Sequence, residues 1–164
     1  MKREVGQIVF VGLDLATKAG IAVLEEDLKT CTVYEVKGNP YEQLYQIQEI
    51  LAKTPAIWGI EELHIFRNAK TIRSLAERVG FIKWTIKGLC KEKVYMIQAS
   101  RARKEFGVKT KKQAKELIQC QVEDGGHLTD NHSDAVLVAM MTAMEVLELT
   151  QTPDLPVVRI GSLT

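Results

Sequence analysis

The chain of 164 residues predicts an α/β fold: one mixed sheet with helices on both faces. Three observations predict it. The first third alternates apolar, β-branched runs with short turns, as an antiparallel meander does. The remainder alternates helix-period and strand-like segments, the pattern of crossover units. Two of the apolar runs end in a carboxylate, at the edge where such sheets gather their sites.

The elements follow in order. Gln7 to Leu13 is rich in β-branched and apolar residues and reads as a strand. Ala16 to Gly20 reads as a tight turn, and Ile21 to Leu24 as a second strand. A charged turn over Glu25 to Lys29 leads to a third, Thr30 to Lys37, before Gly38-Asn39-Pro40 breaks the meander. Tyr41 to Lys53 has Leu44, Ile47, Ile50 and Leu51 on one helical face, and Thr54-Pro55 ends it. Ala56 to Glu61 is a short buried strand, expected parallel to the first.

Ala69 to Lys91 carries Ile72, Leu75, Val79, Ile82, Ile86 and Leu89 at helical spacing. Lys93 to Gln98 is the fifth strand, and Ser100 opens a short helical turn to Phe106. Thr110 is an N-cap for a helix to about Val122. Asn131 or Ser133 caps the last helix, which runs to about Leu149. Residues 1–150 are expected to form the domain, and 151–164, with Pro153 and Pro156, a C-terminal tail. There is no internal repeat and no low-complexity segment.

Composition narrows the class. At 46% hydrophobic and 26% charged the chain has the make-up of a soluble globular domain. The run Ile8 to Leu13 is too short for a signal sequence, and Ala135 to Met141 is too short to span a membrane. Cys31, Cys90 and Cys120 are odd in number and widely spaced, which argues against a disulfide frame or zinc site and for a cytoplasmic, reducing location. His64, His127 and His132 lack zinc spacing, and no serine sits in a nucleophile elbow. Met140, Met141 and Met144 read as core residues.

The net charge of +1 hides a strong segregation. Residues 67–115 hold 15 Lys and Arg against Glu77, Glu92 and Glu105, and the rest holds 7 basic and 18 acidic residues. A solvated helix face can be Lys-rich for no further reason. Clustering on this scale, however, builds a basic surface that attracts polyanions, of which phosphate backbones are the commonest.

Four acids carry the chemistry. Asp14 ends the run Val9 to Leu13, Glu61 ends Ile57 to Ile60, and Asp130 and Asp134 stand at the start of the last apolar helix. Carboxylates at the ends of buried strands are costly unless something positive sits between them. A pair of Mg²⁺ ions is the obvious candidate, because hard cations prefer oxygen ligands.

Three blocks give these acids a context. They are Gly12-Leu13-Asp14-Leu15-Ala16-Thr17-Lys18-Ala19-Gly20, Gly59-Ile60-Glu61-Glu62-Leu63-His64-Ile65-Phe66-Arg67-Asn68-Ala69, and Asp130-Asn131-His132-Ser133-Asp134-Ala135. A softer fourth runs from Phe106 to Ala114. Together they resemble the RuvC-type Holliday junction resolvases of the ribonuclease H-like superfamily, over most of residues 7–147. The first block alone also resembles sugar kinases and actin-like ATPases, but those need a second large domain that 164 residues do not supply.

The resemblance implies a ribonuclease H-like five-stranded mixed sheet and a Mg²⁺-dependent endonuclease that nicks four-way DNA junctions symmetrically. Asp14, Glu61, Asp130 and Asp134 would hold two Mg²⁺ ions per site, with Mn²⁺ as a substitute. The family has an acid or a His three residues before the last Asp; here that position is Asn131, so Asp130 is the expected fourth ligand, with Asn131 or His132 as alternatives. His64 stands where the family has an aromatic, with Phe66 close by, and either could stack on bases at the crossover. Arg67, Asn68, Arg101, Arg103, Lys104, Lys109, Lys111 and Lys112 are the expected DNA-contacting residues, with Lys112 the nearest positional match to the family's lysine. Implied partners are branched DNA, a second copy in a homodimer, and a branch-migration helicase; no membrane is implied. The helix from Ala69 is a candidate dimer face, although core packing explains its apolar stripe equally well. Two other readings stay open: a ribonuclease H-like nuclease acting on RNA–DNA hybrids or flaps, and a non-catalytic junction binder that has lost a metal ligand at Asn131.

Overall fold

The computed structural model describes residues 7–63, 68–89 and 91–163. A six-stranded sheet in the order β5-β4-β1-β2-β3-β6 forms its centre. The strands are β1 (Val9–Asp14), β2 (Lys18–Glu25), β3 (Thr30–Lys37), β4 (Ala56–Glu61), β5 (Val94–Ile97) and β6 (Val157–Ile160). The meander β1-β2-β3 is antiparallel, and β4 runs parallel to both β1 and β5. The helices are α1 (Pro40–Leu51), α2 (Ala69–Trp84), α3 (Ala99–Glu105), α4 (Lys111–Gln119) and α5 (Asp130–Val146). No helix among the described residues is long and apolar enough to cross a membrane.

The sheet has a core on each face, set by the period-2 alternation of its strands. Val9, Val11, Leu13, Ile21, Val23 and Ile60 face α1 and α2, where they meet Ile47, Leu51, Val79 and Ile82. Phe10, Ala22, Leu24 and Val33 face α5, which is backed in turn by Ala102 of α3 and by Ala114 and Ile118 of α4. Every residue of α5 from His132 to Met144 is buried, as suits a helix covered by the sheet on one side and by helices on the other.

The close seating of α5 has a specific cause. A Cβ on Gly12 of β1 would lie 2.0 Å from the Ala135 carbonyl oxygen, and one on Gly59 of β4 would lie 2.0 Å from Thr142 Oγ1. On β2, a Cβ at Gly20 would lie 2.3 Å from the Asn131 carbonyl oxygen. Gly12 and Gly59 are register partners. Three adjacent strands thus present bare backbone to one helix.

Several boundaries differ from the sequence reading. Five expected strands are present, and a sixth, β6, comes from the segment read as a tail: it pairs parallel with β3, from Thr30–Val157 to Val33–Ile160. β2 begins at Lys18, so the turn after β1 is only Leu15 to Thr17. α1 stops at Leu51 because Ala52 and Lys53 adopt positive φ. Its fully buried side chain near the start is Gln43, while Leu44 is only half-buried. α2 changes to a π-helical turn over Thr85–Leu89. α4 ends at Gln119 and α5 at Val146, each earlier than expected. Gln98, not Ser100, precedes α3, with no side-chain cap. α5 is capped by Thr129, in a capping box with His132, rather than by Asn131 or Ser133.

The seating of α5 is open to test. Gly12→Val should lower unfolding stability by at least ~1–3 kcal/mol, the usual cost of overpacking. Gly80→Ala, in α2 with open space around it, should raise stability by ~0.5–1 kcal/mol. Urea midpoints measure both, and a Gly12→Val chain as stable as the parent would refute the close approach.

Candidate metal centre

Asp14 and Glu61 are the last residues of two neighbouring parallel strands. Each lies two positions beyond its strand's glycine, so both share the face on which α5 packs. Asp134 stands one turn into α5, opposite them. One carboxylate oxygen from each of the three lies within 4.8 Å of the other two. Asp14 and Asp134 are buried, at 7% and 1% exposure.

A buried polar clamp holds the turn after Asp14. Gln43 Nε2 donates to the carbonyls of Ala16 (2.7 Å), Thr17 (3.2 Å) and Val36 (3.4 Å). Arg78 Nη1 of α2 donates to Gln43 Oε1 at 2.6 Å and to the Gly38 carbonyl at 2.8 Å. Such networks rigidify when every member is satisfied. This one ties the β1–β2 turn to both helices on the far face of the sheet.

Two cations meet the acids. Arg103 of α3 grips Asp134 with both prongs, Nε to Oδ1 at 3.2 Å and Nη2 to Oδ2 at 2.7 Å. Lys111, the first residue of α4, places Nζ 3.4 Å from Asp14 Oδ2 and 3.5 Å from Asp134 Oδ2. The same ammonium donates to Asn131 Oδ1 at 3.2 Å. Asn131 Nδ2 donates to the Lys18 carbonyl at 2.5 Å, with the amide oxygen left to accept from Lys111.

The electrostatics follow from burial. Burial pushes the Glu61 carboxyl up to about 9, helped by the negative charges of Asp14 and Asp134. Burial also raises Asp14, while its hydrogen bond with Glu61 and the Lys111 charge work the other way. Burial alone would lower Lys111, but the surrounding acids outweigh it and hold the amine above its usual range. Among the described residues, Glu61 Oε2 is buried without a hydrogen-bond partner.

A divalent metal fits this donor set. Three carboxylates converge, all hard oxygen donors of the kind Mg²⁺ and Mn²⁺ take. The unpartnered Glu61 Oε2 is an oxygen that such an ion would satisfy.

The other predicted residues sort differently. Asp130 does not join the acids: as the first residue of α5 its side chain is exposed and pairs with Lys115 at 3.5 Å. With Thr129 as the cap, Asn131 is the residue that shares the cleft with Asp14 and Glu61. The His132 ring is engaged in the cap, Nδ1 accepting the Thr129 N–H at 3.2 Å. Asn68 caps α2 by accepting the Thr71 N–H at 2.9 Å. Arg101 pairs with Glu145 at 3.1 Å. Lys104, Lys109 and Lys112 are exposed. His64, Phe66 and Arg67 lie outside the described residues.

Two corrections concern the cations. Arg103, expected on a DNA surface, is turned inward onto Asp134. Lys111, expected there too, sets its ammonium against Asp14 and Asp134, while Lys112 is exposed. The sequence does not single it out: Lys111 and Lys112 both fall in the first turn after the N-cap Thr110, where the helix dipole disfavours a cation unless acids offset it.

The sequence matches no protein-family model and no curated protein. Solved structures do match. A Thermus thermophilus RuvC in complex with Holliday junction substrate superposes with a TM-score of 0.67 at 16% identity, covering 90% of this chain and 99% of that one. Another Thermus thermophilus RuvC structure gives 0.62 at 15% identity, covering 85% and 96%. The fold is RuvC-like, within the ribonuclease H-like class.

The raised carboxyl has a consequence for stability. Glu61 is held near 9 in the folded chain against an ordinary 4.5, so the native state binds the proton more tightly than the unfolded state. Metal-free stability should therefore fall as pH rises between about pH 5 and pH 9. Glu61→Gln should flatten that decline. Thermal midpoints in EDTA across this range measure it, and equal slopes for the two proteins would exclude Glu61 as the cause.

Proposed function

We propose that this protein is a metal-dependent DNA endonuclease acting on four-way junctions, a resolvase. The observation that carries the reading is the convergence of Asp14, Glu61 and Asp134 at one sheet edge of a RuvC-like fold. The junction substrate bound by the Thermus thermophilus structure and the basic stretch 67–115 of this chain point the same way.

Asp14, Glu61 and Asp134 would hold Mg²⁺, with Mn²⁺ as a substitute, and the Asn131 amide oxygen is a further donor in the same cleft for a second ion. When bound, such ions lower the pKa of a water and stabilise the charge on the departing oxygen of a phosphodiester. The chain's own residues prepare the site. Arg103 fixes the Asp134 carboxylate in one plane, as only a bidentate guanidinium can. The Gln43–Arg78 clamp holds the turn behind Asp14. Lys109 and Lys112, exposed beside the N-terminus of α4, would contact backbone phosphates without reading sequence.

A junction presents two equivalent strands, so a two-fold homodimer suits the task. The face we assign to the second copy carries exposed Tyr41 and Tyr45 of α1 and Trp84 of α2, with Tyr41 set against Phe81 at 4.4 Å between ring centroids. A branch-migration helicase would be a further partner.

A second reading, a junction binder without cleavage, has one observation in its favour: Asn131 stands where an acid would complete the ligand set. Incubation with a labelled four-way junction, linear duplex and RNA–DNA hybrid, with and without Mg²⁺, separates the readings. Paired nicks on the junction alone are expected. Binding without nicks would favour the binder, and cleavage of the hybrid would replace the substrate. Asp14→Asn should reduce cleavage at least ~100-fold, since even outer-shell changes at metal sites cost ~10–100-fold, while leaving junction binding intact.

The basic surface has its own test. Lys109→Ala combined with Lys112→Ala should lower the slope of log affinity against log salt by about two, one for each phosphate left without its lysine. An unchanged slope would remove α4 from the DNA surface.

A further inference from the structure

Two of the three acids already hold a cation. Lys111 Nζ lies 3.2 Å from Asn131 Oδ1, 3.4 Å from Asp14 Oδ2 and 3.5 Å from Asp134 Oδ2. Three oxygens from two elements thus surround one ammonium, two of them belonging to the carboxylates a metal would use. A divalent ion bound to the same Asp14 and Asp134 oxygens would sit about 2.0–2.1 Å from each. It would compete with the ammonium for those oxygens and repel its charge.

Arg103 and Lys111 differ in their freedom to leave. Arg103 is held by both prongs on Asp134 with a side chain only 14% exposed, whereas the Lys111 side chain is 37% exposed. Lys111 sits on a flexible four-carbon stem at the first position of α4, at the mouth of the cleft. Rotation about that stem would carry Nζ outward, toward exposed Lys109 and Lys112, without unseating the helix.

We propose that Lys111 is a resident cation of the metal-free site, and that a divalent metal must displace it to bind. The inference rests on the reading of Asp14, Glu61 and Asp134 as a metal centre. It adds that Lys111 weakens metal affinity while DNA is absent. It adds also that metal entry delivers a free ammonium to the mouth of the cleft, where a phosphodiester would lie. Metal and phosphate would then favour one another's binding through one side chain, a coupling that acts equally in both directions.

The test is calorimetric titration of the metal-free full chain with Mn²⁺, in the absence of DNA, for the parent, Lys111→Met, Lys111→Gln and Asp14→Asn. Both Lys111 variants should bind Mn²⁺ roughly tenfold tighter than the parent, within the about 5- to 150-fold range usual for coupled sites. Asp14→Asn should lose binding. Equal affinity in the parent and both Lys111 variants, with binding still lost in Asp14→Asn, would overturn the displacement and leave the metal centre standing. Unchanged binding in Asp14→Asn would overturn the metal centre itself, and the displacement with it. A second readout needs no variant: acetylation of the parent by acetic anhydride, quantified by peptide mass spectrometry. Mg²⁺ should increase modification of Lys111 relative to Lys115, and an unchanged ratio would count against displacement.

Discussion

The seating of α5 against bare strand backbone is the constraint on which the rest of the structure depends. Gly59, Gly12 and Gly20 lie on three neighbouring strands and meet α5 near Thr142, Ala135 and Asn131. Thr142 lies about two turns from Ala135, and Ala135 about one turn from Asn131, so a single helix meets all three strands along its length. The same contact buries the core on that face and brings Asp134 up to Asp14. A side chain at any of the three glycines would lift the helix and pull the acids apart, so packing and chemistry rest on one contact.

Close approach creates an electrostatic problem that the neighbouring helices answer. Three carboxylates this near would repel strongly out of water. Arg103 from α3 and Lys111 from α4 supply two positive charges, and Glu61, with neither directly on it, holds its proton far above the ordinary range. Breaking a buried pair from one side costs more than the pair contributes, because the surviving charge is stranded. The acids therefore need α3 and α4 in place, and the polar ends of those helices are positioned by the acids in return.

The sequence made the strand-end acids legible because a carboxylate closing an apolar run is expensive and therefore conspicuous. Asp14 and Glu61 stood out on that ground and Asp134 by standing at the start of an apolar helix, and the meander and the helices α2, α4 and α5 followed from periodicity. Asp130 misled because residues three and four before Asp134 flank it on opposite sides, and the sequence alone does not say which side faces the sheet. The packing of α5 on Gly20 turns Asn131 inward and leaves Asp130 exposed. Lys111 and Lys112 are adjacent and chemically alike, so which one turns inward is decided by the orientation of α4 against α5. Gln43 escaped notice because a glutamine on an apolar face looks like an interruption until its carbonyl partners at Ala16, Thr17 and Val36 are in view. Strand β6 was hidden by Pro153 and Pro156 and by its brevity.

That last strand has a consequence of another kind. Val158 is fully buried, and its N–H bonds to the Gln121 carbonyl while the Val157 N–H bonds to that of Lys29. Strand β6 is thus held between β3 and the segment after α4, with Gly161 closing onto the Val33 carbonyl. Without it, β3 would present a ladder of unpaired backbone groups to solvent, the template on which sheets join edge to edge and aggregate. The opposite border, β5, is protected by being only four residues long. The final strand therefore serves as a selvedge: it contributes nothing to the acids, and it keeps the sheet that carries them from recruiting other chains.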